Sequence, residues 1–293
     1  MSPTTDAIDS VLLPTDGSDG ALAGAKRGID LATTADAIVH VLSVVDTSEV
    51  DAVPSALERE DTEQRTALEA EAETAADAVA SLARDRDAEL EVTTATERGT
   101  PFRVIDRYVD ENRVDAVAMG TKGQTGLRRV VLGSVTENVL RTVDVPILVV
   151  PPGADDTAMT EDTVENILLP TDGSRGAAAA VNWGITLADA FDAMVHALYS
   201  VDTSRYPEQM EPEKVLTALE QPGRDALETV RERATENAVS ITGSVATGPP
   251  ARVILDYADD HEIDFVAIGT VVRNADLSVF CVPIDVNDRG SRS

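Results

Sequence analysis

Short apolar runs alternate along the chain with longer, Ala-rich stretches in which apolar and charged residues mix. In the first half the runs fall near Ser10–Pro14, Ala37–Val45, Glu89–Thr96, Asp115–Met119 and Val145–Val150. Turn-forming residues bound each of them. Their near-continuous Val, Ile, Leu and Ala content predicts strands covered on both faces, not strands with one wet face. The stretches between them predict helices. The longest, from Pro54 to Arg86, opens with Pro in a first-turn position and is crowded with Ala, Glu, Asp and Arg, so its charges read as a solvated face. Strands alternating with helices in this order predict a parallel α/β sheet of five strands.

The same pattern is written twice. Val11–Ser48 recurs at Ile167–Ser204 with a constant offset of 156, and 23 of these 38 positions are identical. Gly99–Gly120 recurs at Gly248–Gly269 with the offset reduced to 149, a deletion of seven residues in the middle helical region. Val145-Pro146-Ile147 matches Val282-Pro283-Ile284 at an offset of 137, so twelve further residues are missing just before the last strand. Pro151 to Thr163 is polar, contains Pro-Pro-Gly and shows no apolar period, which marks a linker. The expected organisation is a complete domain over residues 1–152, a linker over 153–163 and a truncated copy over 164–293.

Composition narrows the partners. The 293 residues are 43% hydrophobic and 26% charged, enough apolar content to build two cores, and with 3% aromatics those cores must be aliphatic. Asp and Glu number 53 against 24 Lys and Arg, a net charge of −29, which disfavours duplex DNA and anionic membranes as partners. Only Lys26, Lys122 and Lys214 are lysines. This surface style resembles that of haloarchaeal proteins, in which high salt screens the self-repulsion. Cys281 is the only cysteine, so no intramolecular disulfide forms, as suits a reducing interior. Met1–Asp9 has no basic and apolar leader pattern, and nowhere do 18 apolar residues run together; the expectation is a soluble, cytoplasmic protein.

Candidate chemistry gathers at the carboxyl ends of the strands, where open α/β sheets bind ligands. The first strand ends in Pro14-Thr15-Asp16-Gly17-Ser18, which reads either as a ligand edge or as a plain strand-to-helix turn with Asp16 or Ser18 as the N-cap. After the fourth strand come Gly120-Thr121-Lys122-Gly123-Gln124-Thr125-Gly126 and, further on, Gly133-Ser134 opening a helix. Glycines that admit a close backbone approach, a helix N-terminus and the charge of Lys122, with Arg128 or Arg129 near by, suit a polyphosphate. The bland alternatives are a flexible loop and, for Ser134-Val135-Thr136-Glu137, a capping box with Ser134 at the N-cap. His40 and His196 hold equivalent positions in the two copies and His261 stands alone, which argues for structural roles and against a metal site. No Walker A string, Gly-x-Ser-x-Gly elbow or Cys/His pair is present, so no catalytic residue is assigned.

Gly120-x2-Gly123-x9-Gly133-Ser134 resembles the ATP-binding signature of universal stress proteins, G-x2-G-x9-G-(S/T), and the following Val135–Leu140 and Val145–Val150 are similar to that family as well. The resemblance implies two tandem Rossmann-like domains of the adenine nucleotide alpha hydrolase type, each a five-stranded parallel sheet with helices on both faces. It implies ATP as the ligand, with Mg or Mn. Asp16 would lie at the ribose and Val44 would meet adenine through its backbone. Met119 and Gly120 would border the ribose, and Gly123, Gly133 and Ser134 would hold phosphates, with Pro14, Thr15, Lys122, Val135 and Thr136 completing the contacts. The second copy keeps Pro170–Ser174 but lacks the second glycine and the Gly-Ser pair, and Ser200 replaces Val44. Expected function is therefore stress-response regulation through ATP bound in the first domain. A weak ATPase and a nucleotide-independent interaction scaffold are the alternatives. The repeats are expected to pair as an intramolecular pseudo-dimer through their last strands, with a homodimer of chains as a further possibility.

Overall fold

The computed structural model describes residues 8–47, 61–121, 132–151, 157–202, 212–269 and 278–281. They belong to two compact units, residues 8–158 and the chain from residue 159 onward. In the first, β1 (Ser10–Thr15), β2 (Ile38–Asp46), β3 (Val92–Gly99), β4 (Ala116–Gly120) and β5 (Ile147–Val150) are laid out in the order β3-β2-β1-β4-β5. Every ladder in this unit is parallel. The helices between them are α1 (Asp19–Ala35), α2 (Asp61–Arg86), α3 (Pro101–Asn112) and α4 (Ser134–Thr142). The second unit repeats the plan with β6 (Asn166–Pro170), α5 (Arg175–Ala190), β7 (Met194–Val201), α6 (Pro212–Glu236), β8 (Ile241–Thr247), α7 (Pro250–Asp260), β9 (Phe265–Ile268) and β10 (Ser278–Cys281). Its order is β8-β7-β6-β9-β10, again parallel.

Leu12 and Leu13 point to opposite faces of β1 and both are fully buried, so helices must cover both sides. On the Leu13 face lies α1: a Cβ on its Gly28 would stand 2.2 Å from Leu13 Cδ2 and 2.6 Å from Ala118 Cβ. Beside it α2 buries a stripe of Ala72, Ala76, Val79, Ala80 and Ala83 and leaves its charges outside. On the opposite face His40, in register with Leu12, meets Tyr108 of α3, with Nδ1 and the phenol oxygen 3.1 Å apart; α4 packs beside α3. The result is a doubly wound, Rossmann-like α/β layer sandwich in each unit.

A carboxylate ties the starts of the central strands. Asp115, just before β4, accepts from Ser10 Oγ at 2.8 Å and from the Asp9 N–H at 3.2 Å. Asp264, its counterpart in the second unit, accepts from the N–H groups of Glu165 and Asn166 at 2.8 and 2.9 Å.

The third strand begins later than the apolar run implies, at Val92 instead of Glu89. Asp87–Leu90 turns instead of extending: the Asp87 carboxylate accepts from the Glu89 N–H at 2.9 Å and its carbonyl from the Leu90 N–H at 3.3 Å. Of the long helix expected from Pro54, the part before Asp61 lies outside the described residues. No helix among the described residues is long and apolar enough to cross a membrane.

Gly20, Gly24 and Gly28 follow one another at four-residue spacing down the inner face of α1. A Cβ on Gly24 would lie 2.3 Å from the Gly120 nitrogen, and one on Gly120 would lie 2.0 Å from the Gly20 carbonyl oxygen. The first turns of α1 therefore rest directly on the backbone of β4. In the second unit Gly184 repeats Gly28 and Gly269 repeats Gly120, but Gly24 is replaced by a fully buried Ala180.

Candidate functional site

The order of strands across the first sheet reverses at β1, which is flanked on one side by β2 and on the other by β4. The crevice at the carboxyl ends of β1 and β4 is the topological switch point, where parallel α/β sheets receive ligands. Pro14 and Thr15 end β1, with Thr15 buried and Pro14 half-buried. Asp16 is exposed and Gly17 turns the chain with φ +75. Three local hydrogen bonds hold this turn: Gly17 N–H to Thr15 Oγ1 at 3.2 Å, Ser18 N–H to Asp16 Oδ1 at 3.0 Å, and Ser18 Oγ–H to the same oxygen at 2.5 Å. Ser18 is also the N-cap of α1, accepting from the Ala21 N–H at 3.2 Å. Of the two capping candidates it is thus Ser18 that caps, which leaves Asp16 beyond the helix, at the rim of the crevice. Val44, on the neighbouring β2, follows the Ser43 that stands in register with Thr15.

The other limb is made by β4 and α4. Met119 and Gly120 close β4, and Gly120 owes its missing side chain to the Gly20 carbonyl pressed against it. Lys122 and Gly123 lie outside the described residues. Where the chain is described again, the Gly133 N–H donates to the Thr121 carbonyl at 2.6 Å and Gly133 caps α4. The expected capping box does not form. Gly133, at φ −63 and ψ 152, takes the N-cap position, Ser134 becomes the first helical residue, and no side chain caps the helix. Glu137 N–H reaches the Gly133 carbonyl at 2.9 Å, so the N–H groups of Ser134, Val135 and Thr136 have no intrahelical acceptor. Ser134 is exposed. Thr136 is buried and its hydroxyl donates to the Gly120 carbonyl at 2.8 Å, which fastens the helix N-terminus to the end of β4.

Three contributors were not legible in the motif. Gly20 and Gly24 are needed for the approach of α1 to β4; their signal was the four-residue glycine spacing on a helix. Thr121 stands at an unassigned position of the motif, yet it is buried and its Oγ1 has no hydrogen-bond partner. A polar residue directly continuing an apolar strand was its only mark.

In the second unit the strand-one turn is preserved almost atom for atom. Gly173 has φ +76, Ser174 N–H donates to Asp172 Oδ1 at 2.9 Å, and Ser174 caps α5 through the Ala177 N–H at 3.1 Å. Nearby the surroundings differ. Ser200, in the place of Val44, donates its hydroxyl to the Gly248 carbonyl at 2.7 Å. Tyr199 replaces the buried Ser43 and lies so close to α6 that a Cβ on Gly223 would stand 2.7 Å from its ring. The shortened segment before β10, residues 270–277, lies outside the described residues, and β10 itself, Ser278–Cys281, comes before the Val282-Pro283-Ile284 match from which the last strand was expected.

The histidines sit away from the crevice. His196 pairs with Tyr257 as His40 pairs with Tyr108, Nδ1 to phenol oxygen at 3.2 Å, and its Nε2 lies 3.0 Å from Asn166 Oδ1. Burial lowers the pKa of both rings; Glu91 opposes the shift at His40 and His261 reinforces it at His196. His261 does not stand alone as expected: it stacks on Tyr257 at 3.8 Å, because it is the C-cap of α7, four residues after Tyr257.

Comparison with known proteins agrees with this architecture. A family model described as the universal stress protein family matches residues 7–151 and 163–280. Universal stress protein MJ0531 of Methanocaldococcus jannaschii is 34% identical over 140 residues, which cover 48% of this chain and 80% of that protein. Among solved structures, a universal stress protein from Archaeoglobus fulgidus aligns over 94% of this chain and 97% of its own, with a TM-score of 0.66 at 17% identity. A functionally unknown protein from Pseudomonas aeruginosa aligns over 95% and 93%, with a TM-score of 0.62 at 15% identity. At those identities the two structures speak for the fold alone.

Proposed function

Because the chain belongs to the universal stress protein family, we propose that its first unit binds ATP, with Mg or Mn, at the carboxyl ends of β1 and β4. The protein then acts as a stress-response regulator whose conformation is set by the bound nucleotide. The observation that carries this reading is the N-terminus of α4. It is free of any side-chain cap, anchored to β4 by the Thr136 hydroxyl, and placed at the switch-point crevice that Asp16 borders. Three N–H groups at the positive end of a helix dipole suit the phosphates, and Gly133 and Ser134 give them close approach. Asp16 takes the ribose, Val44 meets the base through its backbone, and Lys122 and Gly123 complete the phosphate loop. Thr136 serves from behind, holding α4 in place.

The second unit keeps the strand-one turn but has only 8 residues between Gly269 and Ser278, the start of β10, where the first copy has 26 between Gly120 and Ile147, the start of β5. Those 8 contain no glycine and one basic residue, Arg273. A helix of more than about one turn and a connection to the last strand do not both fit in them, at 1.5 Å per helical residue. One ATP per chain follows. The domain limits are proposed at 1–152 and 164–293, with the protein salt-adapted and cytoplasmic; pairing of the two copies, or of two chains, is proposed from the repeat in the sequence.

The test is isothermal titration of the full chain with ATP in high salt. A stoichiometry near one is expected, with binding abolished in Gly133→Val, whose side chain crowds the phosphate position. A stoichiometry of two, or undiminished binding in Gly133→Val, would remove α4 from the mechanism. Mass spectrometry of the natively purified protein identifies the nucleotide directly.

A further inference from the structure

Thr121 carries the one buried side-chain oxygen or nitrogen among the described residues that lacks a hydrogen-bond partner. The residue is 7% exposed. Its backbone is fully used, the N–H donating to the Val150 carbonyl at 2.9 Å and the carbonyl accepting from Gly133 at 2.6 Å. Strand alternation gives the direction of the side chain. Gly120 faces α1, since a Cβ there would run into the Gly20 carbonyl. The side chain of Thr121 therefore leaves on the other face, the one covered by α3 and α4. On that face α4 starts, tied to the strand end by the Gly133 and Thr136 hydrogen bonds.

The hydroxyl thus leaves β4 on the side where α4 starts, the first three N–H groups of that helix have no intrahelical acceptor, and the hydroxyl caps none of them. An unpaired hydroxyl and three amide protons on one side of the strand end suit an anionic acceptor. We propose that Thr121 grips the polyphosphate: its hydroxyl donates to a non-bridging phosphate oxygen seated on the α4 N-terminus. The inference rests on the nucleotide reading above and adds to it a residue that the glycine motif passes over.

The same atom then has two effects of opposite sign. In the nucleotide-free protein a buried, unpaired hydroxyl lowers stability, and in the complex it raises affinity. Thr121→Val keeps the shape and removes the hydroxyl; Thr121→Ser keeps the hydroxyl. With the full chain, Thr121→Val is expected to melt no lower than wild type without nucleotide, yet to bind ATP about tenfold more weakly, the loss typical of one charge-assisted hydrogen bond. Adenosine affinity stays unchanged, and Thr121→Ser binds ATP within about threefold of wild type, since the donor is retained. Inorganic tripolyphosphate, used as a second probe, should raise the melting temperature of wild type more than that of Thr121→Val. A lower melting temperature of nucleotide-free Thr121→Val, or wild-type ATP affinity in that variant, overturns the role of Thr121 and leaves the nucleotide reading intact. Absence of ATP and tripolyphosphate binding by the wild type overturns both.

Discussion

Single methyl groups decide how the first unit is packed. At Gly24 a Cβ would sit 2.3 Å from the Gly120 nitrogen, a backbone atom that cannot swing aside as a side-chain tip does. Gly24→Ala is therefore expected to destabilise the first unit by about 1–3 kcal/mol, the usual cost of overpacking, despite the better helix propensity of Ala. Chemical denaturation of the full chain checks this, and an unchanged or raised midpoint would refute the close approach. The converse substitution in the second unit, Ala180→Gly, removes a fully buried methyl and exchanges Ala for Gly inside a helix, so it too should destabilise. None of this was legible at single positions. Gly120 reads in sequence as part of a phosphate motif, whereas its immediate constraint is the Gly20 carbonyl, a contact between residues 100 positions apart.

Elements were easier to read than their ends. Nearly continuous apolar runs located β1, β2, β4 and β5, because burial on both faces leaves few polar positions to blur them; β3, which was expected to be covered in the same way, leaves Thr93, Thr94 and Arg98 exposed. Boundaries drifted where a local hydrogen bond overrode the run, as the Asp87 carboxylate does before β3. Ser134-x2-Glu137 has the letters of a capping box, yet the helix starts one residue earlier than the motif implies, since Gly133 is held at the N-cap by its bond to Thr121. The switch point was legible, for β1 and β4, the strands that lead into the Asp16 turn and towards α4, do stand side by side. The His–Tyr pairs join β2 to α3 and β7 to α7, and both rings titrate below the ordinary histidine value through burial. A depressed histidine favours the fold in its neutral form, so this stability is fully present above pH of about 6.5 and is lost as pH falls towards the folded-state values. Each ring contributes a slope below about 1.4 kcal/mol per pH unit. Asp106 acts in the opposite direction: burial first, then Asp110 and Asp144, hold its pKa above the usual carboxylate value. Melting curves from pH 8 to 5.5 for wild type and for the double variant His40→Gln, His196→Gln separate the two effects. The fall in stability of wild type relative to the variant should be confined to the acidic side, and parallel curves would count against it.

Charge governs how the whole molecule responds to its solvent. A net −29 repels itself over about 10 Å at 0.1 M salt but only about 3 Å at 1 M. The melting temperature is therefore expected to rise steadily between those salt concentrations. Asp106→Asn, which relieves one of three facing carboxylates, should stabilise at low salt and lose that advantage at high salt. Equal melting at both salt concentrations would refute the screening argument. The carboxylates that tie β1 to β4 and β6 to β9 have a kinetic consequence. Asp115 meets Ser10 across a separation of 105 residues, and Asp264 meets Asn166 across 98, whereas β1 and β2 pair across a single helix. Loop-closure entropy delays such distant pairings relative to local ones, so each sheet closes its central seam late on the folding pathway. In the first unit that seam runs up to the switch-point crevice. A growing chain carries the Asp16 turn long before β4 exists, so the crevice takes shape only once β4 has been made.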